Sequence, residues 1–219
     1  MPDFGKDWRP SRSPEASAKF AERVDELRAA LLLLDPNLIA TRSGATFLSL
    51  GPDRGELHLP FLSNACILVW PKLTGYDHLS KPLTDFQLTF LFHYLLTADG
   101  TPVSGKWVSF ADLPDGRVYN AAFQGYSGDE VVKVFGLDLE AFRRSCISAG
   151  GTETNLASAS FLFQPLPSVP LLITYWLGDD DFPSSCKILF DESATHYLPI
   201  DGCAILGSML VRRIIHSYR

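Results

Sequence analysis

The chain has 219 residues, of which 46% are hydrophobic and 20% charged, and a formal net charge of −6. A chain of this length buries a full core without staples, and its acidity, with no basic stripe, excludes a general nucleic-acid binder, which needs clustered Lys and Arg to neutralise phosphates. The N-terminal MPDFGKDWRPSRSPEAS lacks an apolar secretory core and no apolar run reaches spanning length, so a cytoplasmic protein with no membrane partner is expected.

In chain order, residues 1–12 read as a loosely ordered segment and 13–219 as a single α+β domain. Ser13 and Pro14 supply an N-cap and a first-turn proline. Phe20, Val24, Leu27, Leu31 and Leu34 then recur at helical spacing until Asp35 and Pro36 end the helix. ATFLSL and ELHLPFL around GPDRG read as a hairpin, and CILVWP as a third strand. Thr84 and Gln87 have capping-box spacing for a helix to about Ala98 that is apolar nearly all round, and therefore buried on most sides.

A second box, Ser127 with Glu130, opens a short helix ending at Gly136, and Asp138 caps LEAFRRSCIS before Gly150 and Gly151. SFLFQ and VPLLITYWL read as strands separated by an irregular connection at Pro165, Pro167 and Pro170, because proline cannot donate to a ladder. The second strand stops at Gly178 and an acidic turn, Asp179, Asp180 and Asp181, before KILF. A last helix, about 200–217, buries Ala204, Gly207, Val211 and Ile215, and Arg212, Arg213, His216 and Arg219 complement its dipole. Irregular alternation of strands and helices argues against a βαβ repeat. The expected fold is one α+β domain, its antiparallel strands packed against the buried central helix and the C-terminal helix.

YWLGDDDFP, ILFDESATHYL, the proline-interrupted strand pair and, upstream, FHYLLTADGTPVSGKWVSF with the 119–123 segment together resemble domain-of-unknown-function family 3786 over about residues 86–215. The family occurs largely in anaerobic bacteria and archaea and brings no catalytic residues with it. The resemblance implies a setting in corrinoid-linked metabolism, since some relatives look fused to an iron–sulfur domain like that of corrinoid iron–sulfur proteins. The cysteine cluster of such a domain is missing here.

Cys66, Cys146, Cys186 and Cys203 are widely spaced in apolar surroundings, with no C-x-x-C pair, and read as reduced core residues. GYSGD, residues 125–129, resembles a nucleophile elbow only through Gly125 and Ser127, and neither a dinucleotide nor a Walker motif occurs. The leading expectation is a non-enzymatic ligand-binding protein. Its ligand would be a tetrapyrrole, cobalamin or another corrinoid first and haem second, and its partner that ligand or a protein of corrinoid metabolism. A lone imidazole on a buried helix, His93, must find a partner or lose its charge, and either it or His196 would ligate the metal. Trp107, Phe123, Trp176 and Phe182 would wall the cavity. A competing expectation is a metal-dependent enzyme or accessory factor, with Asp179, Asp181 and Asp191 converging as oxygen ligands. An assembly partner with no small-molecule site is the third.

Overall fold

A computed structural model describes residues 14–218. The expected loose segment 1–12, the Ser13 cap and Arg219 lie outside the described residues. Helix α1 (Pro14–Leu31) buries Val24, Leu27 and Leu31 at the predicted spacing. Asp35 and Pro36 do more than stop it. The Asp35 carboxylate accepts the Asn37 N–H at 2.8 Å and Pro36 occupies the first turn of a second helix, α2 (Pro36–Ser43). Gly44 closes α2 with φ 71°, and an added Cβ would meet Pro167 Cβ at 2.9 Å, so both conformation and space call for glycine.

The first sheet runs β1 (Thr46–Gly51), β2 (Arg54–Phe61), β3 (Asn64–Trp70) and β4 (Thr74–Asp77) in sequential antiparallel order. Leu57, Leu59 and Phe61 on β2 and Cys66 and Leu68 on β3 are buried, the period of two that a one-sided sheet requires. Strand β4, only TGYD, is too short and polar for periodicity to reveal. Helix α3 (Asp85–Thr97) opens on the predicted box: Thr84 N–H donates to Gln87 Oε1 at 2.9 Å and Gln87 N–H to Thr84 Oγ1 at 3.3 Å. Its Phe90 stacks on Phe61 at 5.7 Å, and its Tyr94 hydroxyl donates to Ser43 O while accepting the Ser168 N–H. One buried phenol thus ties α3 to α2 and to the second sheet.

The second sheet is antiparallel, built from β5 (Trp107–Ser109), β6 (Thr152–Thr154), β7 (Ala159–Leu166), β8 (Val169–Trp176) and β9 (Ser185–Asp191) in the order β5-β9-β8-β7-β6. The irregular connection expected at the three prolines is instead a tight hairpin. Pairing resumes at Leu166 with Val169 after a register shift that absorbs Pro165, whose freed carbonyl accepts the Leu62 N–H at 2.9 Å and links the two sheets.

Between β5 and β6 lie α4 (Gly116–Gly125), α5 (Gly128–Phe135) and α6 (Leu139–Ser148), and α7 (Ile200–His216) closes the fold. Helix α4 escaped prediction because its apolar Val118 and Tyr119 face solvent. The Ser127 capping box is a correction: its hydroxyl donates back to Phe123 O and caps nothing, whereas Asp138 accepts the Ala141 N–H at 2.8 Å as predicted. Helix α7 buries Cys203, Leu206, Gly207, Leu210, Val211 and Ile214, while Ile215 packs only partly. Gly207 lets Phe123 approach so closely that an added Cβ would lie 2.9 Å from the ring. One continuous core spans both sheets and the helices, the α+β domain that the sequence predicts. All four cysteines are buried and free, and burial pushes the Cys66 thiol up to about 11 and Cys203 to about 12.

Candidate functional site

Strand β9 separates the residues that the sequence singles out. Ser185 pairs with Trp176 at one end and Asp191 with Trp107 at the other; six steps of about 3.3 Å hold the two ends about 20 Å apart. Trp176, Asp179, Asp181 and Phe182 gather at the first end, and Trp107, Asp191 and His196 at the second. Asp179, Asp181 and Asp191 therefore do not converge, and among the described residues no group of three His, Cys, Asp or Glu is placed to hold an ion. At the acidic turn, Asp179 Oδ1 accepts the N–H groups of Asp181 at 3.0 Å and Phe182 at 2.8 Å, an ordinary local cap.

The four expected cavity walls are likewise dispersed. Phe182 is 71% exposed and Trp176 39%, so neither walls a cavity and Phe182 does not anchor its turn in the core. Phe123 is buried, stacked on Phe110 at 4.3 Å, and forms part of the floor of a cleft of about 280 Å³ beside β9. A second cleft, about 440 Å³, lies by the β1–β2 turn between Phe47, Trp70 and Arg54. His93 is partly buried with its Nε2 shielded from solvent; burial and then the neighbouring Arg23 hold its imidazole below the ordinary histidine range.

At the second end of β9 the chain builds a corner around a buried carboxylate. Asp191 is fully buried and accepts from Ser193 N–H (3.0 Å) and hydroxyl (2.6 Å), from Ser104 N–H (3.0 Å) and hydroxyl (3.1 Å), and from Gly105 N–H (2.7 Å). It caps a 3₁₀ turn over Glu192–His196 and also anchors the loop between α3 and β5. Burial works against its charge, but the hydrogen bonds from Ser193, Ser104 and Gly105 outweigh it and hold the carboxyl below its usual range. Lys106 adds an ion pair with Glu192 at 2.6 Å, and the Tyr197 hydroxyl donates to Thr101 O.

His196 stands on the rim of this corner. Its Nδ1 lies 2.7 Å from Asp99 Oδ2 and 3.1 Å from Thr101 Oγ1, both on the pinned loop. The histidine and Thr101 bonds hold the Asp99 carboxyl down at about 2, so it is ionised at every ordinary pH. A carboxylate on Nδ1 fixes the ring and the tautomer and leaves Nε2 as the basic nitrogen. Both side chains are about half exposed, and Val103 on the same loop and Trp107 beside Asp191 add partly exposed apolar surface. Asp99, Thr101 and Ser104 were not singled out in the sequence; the signal was the polar run TADGTPVSGK, whose backbone had to find acceptors somewhere.

Two antiparallel sheets on one core, with a polar loop clamped by a buried carboxylate and carrying an Asp–His pair, define an α+β protein with a preorganised surface corner. The family model described as domain of unknown function (DUF3786) matches residues 35–213, and the chain belongs to that family. The match begins well before residue 86, where the motif resemblance starts, and takes in α2 and the whole first sheet. No curated protein and no solved structure matches the chain.

Proposed function

We propose that the protein binds a metal tetrapyrrole, a corrinoid first and haem second, through Nε2 of His196. The observation that carries this reading is the Asp99–His196 pair. A metal-ligating histidine characteristically donates its other ring N–H to a carboxylate, and here that contact is 2.7 Å long on a loop held by Asp191. Among the described residues no group of three His, Cys, Asp or Glu side chains is placed to hold a bare ion. A tetrapyrrole metal arrives with four equatorial nitrogens and asks the protein for an axial ligand only. Trp107 and Val103 supply apolar surface for the macrocycle at the same corner. When bound, the metal centre supplies the redox or group-carrier chemistry; the chain's residues orient it.

The test is an absorption titration with aquocobalamin and with haemin on the wild type, His196→Ala and His93→Ala. Saturable binding that is lost in His196→Ala and kept in His93→Ala supports the reading. No spectral change with either compound, or equal binding by His196→Ala, removes it.

A further inference from the structure

At the first end of β9, away from the His196 corner, the second sheet closes on an apolar rim. Phe182 is 71% exposed, Leu137 72%, Leu156 59%, Leu177 42% and Trp176 39%. Hydrogen bonds tie their segments together at that end. The Leu177 N–H donates to the Ser158 hydroxyl at 3.1 Å, two residues beyond Leu156, and the Gly178 N–H donates to the Ser184 hydroxyl at 2.9 Å. Ser184, two residues past Phe182, donates in turn to Gly136 O at 3.1 Å, beside Leu137. Single exposed apolar side chains are ordinary on any surface, but five gathered at one end of a sheet form a patch of the kind that marks an interaction site.

The turn fixes its phenylalanine in place. The Asp179 N–H donates to Phe182 O at 2.9 Å, and Asp179 Oδ1 accepts the N–H groups of Asp181 and Phe182. A Cβ on Gly178 would lie 2.4 Å from Ser184 N, so the two ends of the turn touch. An anchor fixed before contact loses little freedom on binding, and buried aromatic anchors carry much of the energy of an interface. The charge beside this anchor is acidic. Asp180 and Asp181 are in no ion pair among the described residues, and Asp179 adds a third carboxylate. Lys187, one row into the sheet on the Trp176 face, sets a single positive charge against the three, and Arg143, which reaches Ser158 O, is already paired with Glu140 and Glu153.

We infer that this rim docks a partner protein through a basic amphipathic segment, whose apolar side chains cover Phe182, Trp176 and Leu137 and whose Lys or Arg residues face Asp180 and Asp181. The charge selects the occupant. A second copy docked through the same rim about a two-fold axis would bring the acidic turns of both protomers together, and an anionic lipid surface would meet them as like charge. A cationic segment gains from the apolar area and from the field. The rim lies at the opposite end of β9 from Asp191, so the inference is independent of the proposal at His196.

The probe is a peptide of Leu and Lys about 18 residues long with its leucines on one helical face, titrated into the full chain by calorimetry. A Gly and Lys peptide of equal charge is the control. The Leu and Lys peptide should bind saturably with a Kd of about 10 µM. It should bind at least about tenfold more weakly to Phe182→Ser and to Leu137→Ser, and at least about fivefold more weakly to the double variant Asp180→Asn, Asp181→Asn. Both serines replace exposed side chains and leave the backbone caps intact, so the circular dichroism spectrum should not change. Leu33→Ser, which removes an 87% exposed leucine from the connection between α1 and α2, should bind as the wild type does. No saturable binding of the Leu and Lys peptide, equal binding of the control, or full binding by Phe182→Ser would each overturn the inference. A dimer of the free chain that Phe182→Ser dissociates, or binding to phosphatidylglycerol vesicles that Phe182→Ser abolishes, would overturn it in favour of a second copy or a membrane.

Discussion

Replacing Asp191 by Asn tests the clamp that holds the His196 corner. The carboxylate is buried and its Oδ2 accepts the Gly105 N–H at 2.7 Å and the Ser104 hydroxyl at 3.2 Å, while Oδ1 serves Ser193 and Ser104. An amide retains one oxygen and turns the other contact into donor facing donor. Hydrogen bonds to a charged acceptor are worth about 1.5–3 kcal/mol, and a buried donor left unsatisfied costs about 1–3 kcal/mol. Allowing for relaxation of an exposed loop, the substitution should cost about 3 kcal/mol, or about 6–12 °C in Tm for a protein of this size. Urea unfolding followed by circular dichroism measures the first quantity. Hydrogen exchange reads the local effect, in which the Ser104 and Gly105 amides lose protection before the core does. The sign with pH is fixed. Because the folded carboxyl titrates below its unfolded value of about 3.9, the stabilisation is complete above about pH 5 and is lost as pH falls through the folded value. The gap between wild type and Asp191→Asn should therefore close in acid. A loss under about 0.5 kcal/mol at pH 7, with the loop amides still protected, would refute the clamp.

The acidic turn should separate by position: Asp179→Ala loses the caps on Asp181 and Phe182 and should cost about 1 kcal/mol in urea unfolding, whereas Asp180→Ala should stay within about 0.5 kcal/mol. Equal effects at the two sites would contradict the cap. A Cβ on Gly128 would overlap the Cys186 carbonyl oxygen, so Gly128→Ala should cost about 1–3 kcal/mol by the same measurement. Tyr94→Phe leaves Ser43 O and Ser168 N–H without their shared partner and should cost about 1–3 kcal/mol, with a neutral result showing that water replaces the phenol.

What the sequence disclosed was local. Thr84 and Gln87, Asp138 and Asp191 are caps that lie within a few residues of the groups they satisfy, and the apolar period of β7 and β8 is continuous, so each could be read from a short window. The site was not local. Asp99 meets His196 across 97 positions and Ser104 meets Asp191 across 87, contacts that spacing cannot carry. For that reason the sequence offered His196 as a candidate ligand but not as half of a pair, and helical periodicity could not show that Arg23 of α1 lies beside His93. The aromatic residues misled for a related reason. Phe123 and Phe182 are the same residue type, yet a helix seals one against Gly207 and a capped turn holds the other in water.

The most direct test of the function proposed here is electron paramagnetic resonance of the protein loaded with reduced, cobalt(II) cobinamide, a corrinoid without the axial base nitrogen that cobalamin carries, comparing unlabelled protein with protein grown on ¹⁵N-histidine. Axial ligation by His196 predicts nitrogen triplet splitting that becomes a doublet on labelling and is absent in His196→Ala. A spectrum identical in labelled and unlabelled protein, or splitting that persists in His196→Ala, would contradict it.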